Sequence, residues 1–171
     1  MELCGKLLVA MPGMSDPRFE LAVILVCAHS EDGAMGLIVN KLVPDLSFGS
    51  LLERLGIPQA PSGRDIRVHF GGPVERGRGF VLHSRDYQGG PSTMKITGGY
   101  GMTATLDVLQ ALAAGDGPRD ALLALGYAGW GPGQLEQEMT RHGWHLAEGN
   151  DPILYETEAA QRWDACFKAQ G

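Results

Sequence analysis

The apolar run LAVILVCAH, residues 21–29, is followed by Ser30-Glu31-Asp32-Gly33 and then by a second apolar run, AMGLIVN, residues 34–40. The first run is apolar at consecutive positions, so both faces of the strand it predicts are buried and the strand is central. Asp32-Gly33 accepts the left-handed backbone that tight hairpins require, which predicts that the second run returns antiparallel to the first. A buried, central hairpin implies further strands around it.

The rest of the chain supplies them. KLLVAM near the N-terminus, IRVHF, GFVLHS and MKIT read as short strands, as do ALLALGYA, WHL and ILYE. PGMSDPRF, PQAPSGRD and GGPVERGR carry the Gly and Pro chemistry of turns and loops. Ser47 to Leu55 predicts a short amphipathic helix, with Phe48, Leu51, Leu52 and Leu55 at helical spacing. Thr103 or Thr105 is placed to cap a second helix through about Ala113. A third helix is expected from Pro132, and a fourth from Glu158 to the C-terminus. No period repeats and no linker divides residues 1–171, so one domain is expected. Several strands are joined by loops too short for crossover helices. The expectation is therefore α+β: a curved, mostly antiparallel sheet with about four packed helices.

Charge narrows the partners. Twenty acidic residues stand against fourteen basic ones, and no Lys/Arg run forms a patch, so direct nucleic-acid binding is not expected. Cys4, Cys27 and Cys166 are odd in number and widely spaced, which argues against a disulfide framework or a zinc site. The N-terminus has no basic leader, and no window approaches the roughly 18 apolar residues that would span a bilayer. A soluble protein of the cytoplasm, without membrane contact, is the expectation.

The stretch GYAGWGPGQLEQEM, Gly126 to Met139, looks at first like a phosphate loop. It has no Lys, Arg, Ser or Thr with which to hold a phosphate, and Glu136 and Glu138 already occupy the start of the following helix. A strand-to-helix corner explains it better. Gly131 is expected at the N-cap, Pro132 at the first helical position and Gln134 where it completes half of a capping box. Leu135, Met139 and His142 would then share the buried helical face. No Gly-x-Ser-x-Gly elbow exists, and Cys27 sits too deep in an apolar strand for a thiolate role. The five histidines form neither His-x-His nor His-Glu-x-x-His, although His69 and His83 on separate strands could converge. No metal or cofactor is expected.

The candidate ligand-binding residues are Ser15, Asp16, Asn40, Lys41, Gly71, Gly72, Arg76, His83, Trp130, Gln134 and Glu136. Ser15 and Asp16 precede Pro17, while Asn40 and Lys41 end the second hairpin strand, positions where turn chemistry is the ordinary explanation. Gly71-Gly72-Pro73 forces a bend beside Arg76 and Arg78, a place for a small anionic ligand.

Taken together, MPGMSDPRF, AHSEDGAMGLIVNK, FGGPVERGRGFVLHS and LGYAGWGPGQLEQEM resemble the AlgH/YqgE family of bacterial proteins, over about Leu7 to Leu154. The resemblance implies a bifurcated sheet folded into a pseudo-barrel, and a cytosolic bacterial protein sometimes labelled a transcriptional regulator, with no assigned reaction. The chain departs from the family pattern at Ala28, Leu42 and His142, where relatives usually carry Glu, Pro and Asn. Three readings follow. The first is a non-enzymatic regulatory domain that binds a small molecule or a protein partner. The second is an enzyme acting on a small polar substrate, with Ser15, Asp16, Asn40, His83 and Glu136 converging in one cleft. The third, suggested by the family's label alone, is a regulator that contacts DNA directly.

Overall fold

The computed structural model describes residues 3–12, 16–44, 46–61, 66–87, 93–97, 99–104, 106–141, 143–148, 152–156 and 159–170. In chain order the strands are β1 (Lys6–Ala10), β2 (Val23–Ser30), β3 (Gly33–Ile38), β4 (Val68–Phe70), β5 (Val74–Ser84), β6 (Thr93–Ile96), β7 (Tyr100–Thr103), β8 (Ala121–Trp130) and β9 (Trp144–Glu148). The helices are α1 (Phe48–Arg54), α2 (Leu106–Ala113), α3 (Gln134–Thr140) and α4 (Arg162–Gln170).

β2 and β3 form the expected hairpin, from Ile24 opposite Ile38 to Ser30 opposite Gly33, with a register shift between Val26 and Ala28. The strand order is β6-β7-β5-β8-β3-β2-β1-β9, and every neighbouring pair along it is antiparallel. The alternation of side chains along a strand sorts the core into two faces. Leu7, Val9, Leu25, Leu37, Phe80 and Leu82 pack on one face, and Leu8, Ile24, Val26, Ile38, Trp130 and Trp144 on the other. A third cluster packs α1 and α2 on the β4–β8 region through Phe48, Leu52, Val68, Leu112 and Leu123. Ser47 caps α1 by accepting from the Ser50 N–H at 3.1 Å. Phe48 and Leu52 are buried as their spacing predicts, whereas Leu55 is exposed.

The sheet divides at β8. Residues Leu123–Leu125 pair with β4 in parallel and with β5 in antiparallel, so those two strands lie on opposite edges of β8. β3 pairs further along, at Ala128–Trp130, and shares the edge of β4, because the sheet path places it across β8 from β5. Between Phe70 and Val74 the chain must therefore cross β8 from one edge to the other. Gly71 and Gly72 make that crossing. A Cβ on Gly71 would lie 2.3 Å from the Gly126 carbonyl oxygen, and one on Gly72 would lie 2.1 Å from the Tyr127 carbonyl carbon. Gly126 answers from the other strand, with φ of 77° and its own Cβ position 2.4 Å from the Gly72 oxygen. The two glycine motifs, far apart in sequence, form one close crossing of backbones.

Three sequence expectations are corrected. Tyr100–Thr103 is strand β7 rather than the approach to a helix cap, and buried Thr103 lies 2.8 Å from both His83 Nε2 and Thr93 Oγ1. Thr105 lies outside the described residues. ILYE is not a strand, since Pro152–Glu156 makes a single π-helical turn. Ile153 and Leu154 are both buried in the same cluster, which consecutive residues of a strand, facing opposite ways, do not achieve. The N-cap of α3 is Gly133, in the left-handed conformation, and not Gly131. The capping hydrogen bond still forms, because the Gly131 N–H donates to Gln134 Oε1 at 3.0 Å across the Pro132-Gly133 turn. Leu135 is fully buried and Met139 partly so on the face read from the sequence, while His142 lies outside the described residues.

His69 and His83 do not converge on a shared ligand. His83 bonds to the Ser84 carbonyl and Thr103, and His69 to the Leu123 carbonyl and Arg162. An Arg162 N–H donates to His69 Nε2 at 2.9 Å, so that nitrogen is an acceptor and the proton sits on Nδ1, facing the Leu123 oxygen at 3.2 Å. Burial first, and the Arg162 charge second, push the His69 pKa down to about 4. The folded state thus binds this proton more weakly than the unfolded chain, whose histidine titrates near 6.5. Stability is retained above pH ~6.5 and is expected to fall as pH drops toward 4, by up to about 3 kcal/mol from this residue. Urea titrations at pH 7, 5.5 and 4.5 test this, and the His69→Asn variant is expected to show a flatter pH dependence than the parent.

Among the described residues no helix is long and apolar enough to cross a membrane, and no three His, Cys, Asp or Glu side chains are grouped to hold a metal ion.

Candidate functional site

The sequence of α3, GlnLeuGluGlnGluMetThr, places Gln134 and Glu138 one helical turn apart on the same side, beside the buried Leu135. Trp130 arrives on the preceding strand and Trp144 on the following one. Glu138 joins all three. Its Oε1 accepts from Trp130 Nε1 at 3.2 Å and from Trp144 Nε1 at 3.0 Å, and its Oε2 accepts from Gln134 Nε2 at 3.0 Å. The indole rings meet edge to face at 6.4 Å, and Phe19 adds a second edge contact to Trp144 at 6.0 Å.

This cluster forms the floor of a cleft of about 560 Å³. Its walls come from the turn at Asp16–Phe19, from Pro73 and Val74 just past the glycine crossing, and from Arg141 at the end of α3. The turn is built to be fixed. Arg18 and Asp16 pair through Nε–Oδ1 at 3.1 Å and Nη2–Oδ2 at 2.7 Å. Hydrogen bonding from the Arg18 side chain holds the Asp16 carboxyl below its usual range. Lys41 Nζ donates to the Arg18 carbonyl at 3.1 Å, and its partial burial lowers its pKa. Asn40 clamps the turn's exit: its Oδ1 accepts from Val23 N and its Nδ2 donates to Leu21 O, both at 2.8 Å. Leu21 takes a left-handed φ of 56°, uncommon for a side chain of this size, and the Asn40 clamp ties it in place.

The polar groups of the cleft can now be accounted for one by one. Asp16 and Arg18 satisfy each other, and Glu138 binds both indoles and Gln134. Arg141 is exposed, and among the described residues its guanidinium has neither a hydrogen bond nor an ion pair. It is the cleft's unspent charge.

Of the residues singled out from sequence, Asp16, Trp130 and Gln134 line this cleft. Asn40 and Lys41 support its wall from behind, and Gly71 and Gly72 carry the crossing that delivers Pro73 and Val74. Arg76 stacks over Phe70 at 5.7 Å. His83 is fully buried in its own hydrogen bonds. Glu136 turns to the other side of α3, where its Oε2 is 3.3 Å from His29 Nε2. Its own backbone N–H, and after it His29, hold its carboxyl below the usual range. Ser15 lies outside the described residues. Cys27, expected to be inert, is buried with its thiol pKa pushed up by desolvation. Glu138, Trp144, Arg18 and Arg141 were not singled out from sequence. Spacing alone joins Glu138 to Gln134, but its two indole partners meet only when β9 docks beside β1.

A second, more open cavity of about 930 Å³ lies on the opposite face of the sheet and shares Val74, Gly129 and Trp130 with the first. Met35, Met94, Met102, Phe80 and Tyr127 make it largely apolar, with Asp32, Glu75 and Arg78 along its rim.

Comparison with known proteins gives a consistent answer. An AlgH-like family model matches residues 7–171. A UPF0301 protein of Cereibacter sphaeroides (strain ATCC 17023) is 58% identical over all of this chain and 93% of its own length. One of Paracoccus denitrificans is 53% identical over 99% of this chain and 90% of its own length. The solution structure of the AlgH protein from Pseudomonas aeruginosa superposes with a TM-score of 0.83 at 37% identity, covering 98% of this chain and 88% of that one. A Corynebacterium diphtheriae protein shares the fold at a TM-score of 0.78 and 22% identity, covering all of this chain and 88% of that one. The chain belongs to the AlgH-like family.

Proposed function

We propose that this member of the AlgH-like family is a non-catalytic binding domain whose ligand seats in the Trp130–Glu138–Trp144 cleft and presents negative charge to Arg141. The observation that carries the reading is the polar account of that cleft. Every other polar side chain described there is satisfied within the protein, and the one left over is a cation at the lip. A general base or nucleophile needs a free lone pair at the reacting atom. Asp16 and Glu138 each accept three hydrogen bonds, which stabilise the carboxylates and make them weak bases, so this cleft favours recognition over chemistry. Direct DNA contact draws no support from a chain with a net charge of -6. A regulatory role is the natural use of a domain that binds without transforming.

The test is a thermal-shift and calorimetric screen of carboxylates, phosphates and short peptides against the purified protein and its Arg141→Ala variant. A ligand that raises the melting temperature of the parent is expected to bind the variant about 10- to 100-fold more weakly, the worth of a charge-assisted hydrogen bond of about 1.5–3 kcal/mol. The melting temperature of the free variant should be unchanged, because Arg141 is exposed and unpaired. Ligands that bind both proteins equally would contradict the reading.

A further inference from the structure

The methionine-walled cavity is the mouth of the curled sheet. Its lining comes from one end of six neighbouring strands: the end of β2, the start of β3, the end of β8, the start of β5, the end of β7 and the start of β6. Ala28 on β2 and Met94 on β6 line the same cavity although four strands separate them in the sheet order, so the sheet curls around it. Phe80, Met102, Met35 and Tyr127 make its floor, where they pack in the same core cluster as Leu25 and Leu82. The walls are irregular at this end. β2 shifts register between Val26 and Ala28, and on β5 the residues Glu75 to Arg78 stand against Gly126 alone, between the pairs Val74–Tyr127 and Gly79–Leu125. Bulges of this kind occur at the rims of barrels and re-aim side chains there. This one makes an exposed rim of Glu75–Arg78, and Val74 and Met94 stay 36% and 41% exposed at the opening.

A space of about 930 Å³, apolar on its floor and charged only at its rim, has the form of a small-molecule site in the mouth of a barrel. The rim sets the sign of the ligand. The Arg78 charge is spent, because its Nη1 lies 3.8 Å from Glu75 Oε2 and its guanidinium sits over the Phe80 ring at 5.1 Å. His29 turns Nδ1 to the Leu3 N–H at 3.4 Å and Nε2 to Glu136. Asp32 is left. Its backbone N–H donates to Ser30 Oγ, while its carboxylate has neither an ion pair nor a hydrogen bond among the described residues. We propose that this cavity binds a small amphiphilic amine, its apolar chain on Met35, Met102, Phe80 and Tyr127 and its ammonium group at the rim beside Asp32. The site is separate from the cleft with Arg141 and opposite to it in the sign of its free charge. Thioether side chains repack at little cost around chains of different shape, and each methylene taken from water adds to affinity. An anionic amphiphile of the same length meets like charge at Asp32 and Glu75.

The probes are octylamine, octanoate and octanol, which share a chain length and differ in charge, and butylamine, which keeps the charge on half the chain. Each is titrated below its micelle threshold into protein labelled with carbon-13 at the methionine methyl groups and with nitrogen-15, and followed by calorimetry and nuclear magnetic resonance. Octylamine is expected to bind at least about 5-fold more tightly than octanoate and at least about 10-fold more tightly than butylamine, with octanol in between. The methyl signals of Met35, Met94 and Met102 should move while the indole signal of Trp144, which lines the cleft and not this cavity, stays in place. Asp32→Lys alters an exposed turn residue, and should keep the parent's melting temperature while placing octanoate above octylamine. Equal affinity for octylamine and octanoate, or an order unmoved by Asp32→Lys, overturns the proposal. Butylamine bound as tightly as octylamine overturns it as well, since the apolar floor would then contribute nothing. No saturable binding of any of the four, or binding that leaves the three methyl signals fixed, also overturns it, and in each case the reading of the Arg141 cleft is unaffected.

Discussion

Replacing Gly72 with alanine is expected to leave little or no stably folded protein. The added methyl would stand 2.1 Å from the carbonyl carbon of Tyr127, 2.2 Å from its oxygen and 2.4 Å from the Ala128 nitrogen. These are backbone atoms of the strand that carries both the glycine crossing and Trp130, so no side-chain rotation relieves the overlap. The only escape is to part β4 and β5 from β8, which unravels the point where the sheet divides. A loss above about 4 kcal/mol is expected, against a typical total stability of about 5–15 kcal/mol. Gly77→Ala is the control. Nothing lies within 4 Å of a Cβ there, and the variant should unfold within about 0.5 kcal/mol of the parent. Soluble yield and urea unfolding of the two variants measure the difference.

The second large effect is expected at Glu138. Alanine there removes the acceptor of two indole N–H groups, on tryptophans that are 7% and 5% exposed, and leaves Gln134 Nε2 without its acceptor. A buried donor left unsatisfied costs about 1–3 kcal/mol. Water entering the vacated space recovers part of this, so a loss of about 2–4 kcal/mol is expected in denaturant unfolding. Tryptophan fluorescence and near-ultraviolet circular dichroism should change as well, since the edge-to-face packing of Trp130 on Trp144 depends on that carboxylate. Glu138→Gln keeps an oxygen for the indoles but turns an amide NH2 toward Gln134, and should cost less than alanine. If alanine proved neutral, the carboxylate would not be organising the cleft.

Much of the frame is visible in the sequence, because it depends on local patterns. The consecutive apolar positions of residues 21–29 mark β2 as central, and Asp32-Gly33 closes the hairpin. Ser47 with Phe48 and Leu52 marks α1, and Gln134 reaches back to Gly131 as a half capping box should. Patterns fail where tertiary contacts overrule them. Ile153 and Leu154 look like strand residues, yet both turn into one core. Nothing in Gly71-Gly72 or Gly126 says that the two segments cross, since their need for small residues comes from each other.

The site is less legible for the same reason. Asp16, Trp130 and Gln134 stand out in sequence by their place in turns and corners, and they line the cleft. Asn40 and Lys41 stand out as well, but their polar atoms are spent on the backbone of the neighbouring turn. Glu138 looks in sequence like one more acid on a helix surface. It gains meaning only when Trp144 is brought alongside Trp130, an adjacency set by the pairing of β9 with β1.

The central claim, that ligands enter at the Trp130–Glu138–Trp144 cleft, is open to one direct measurement. The two indole N–H groups share a single carboxylate oxygen, so their nuclear magnetic resonance signals report on the cleft floor and can be assigned by Trp130→Phe and Trp144→Phe variants. Uniformly nitrogen-15-labelled protein titrated with each anion or peptide of the Arg141 screen that raises its melting temperature should show both indole signals moving, together with the amides of Gly129 and Arg141. The amides of Phe48–Arg54 in α1, which packs on a different core cluster, should stay in place. Ligands that stabilise the protein while both indole signals remain fixed would place binding elsewhere and contradict the account.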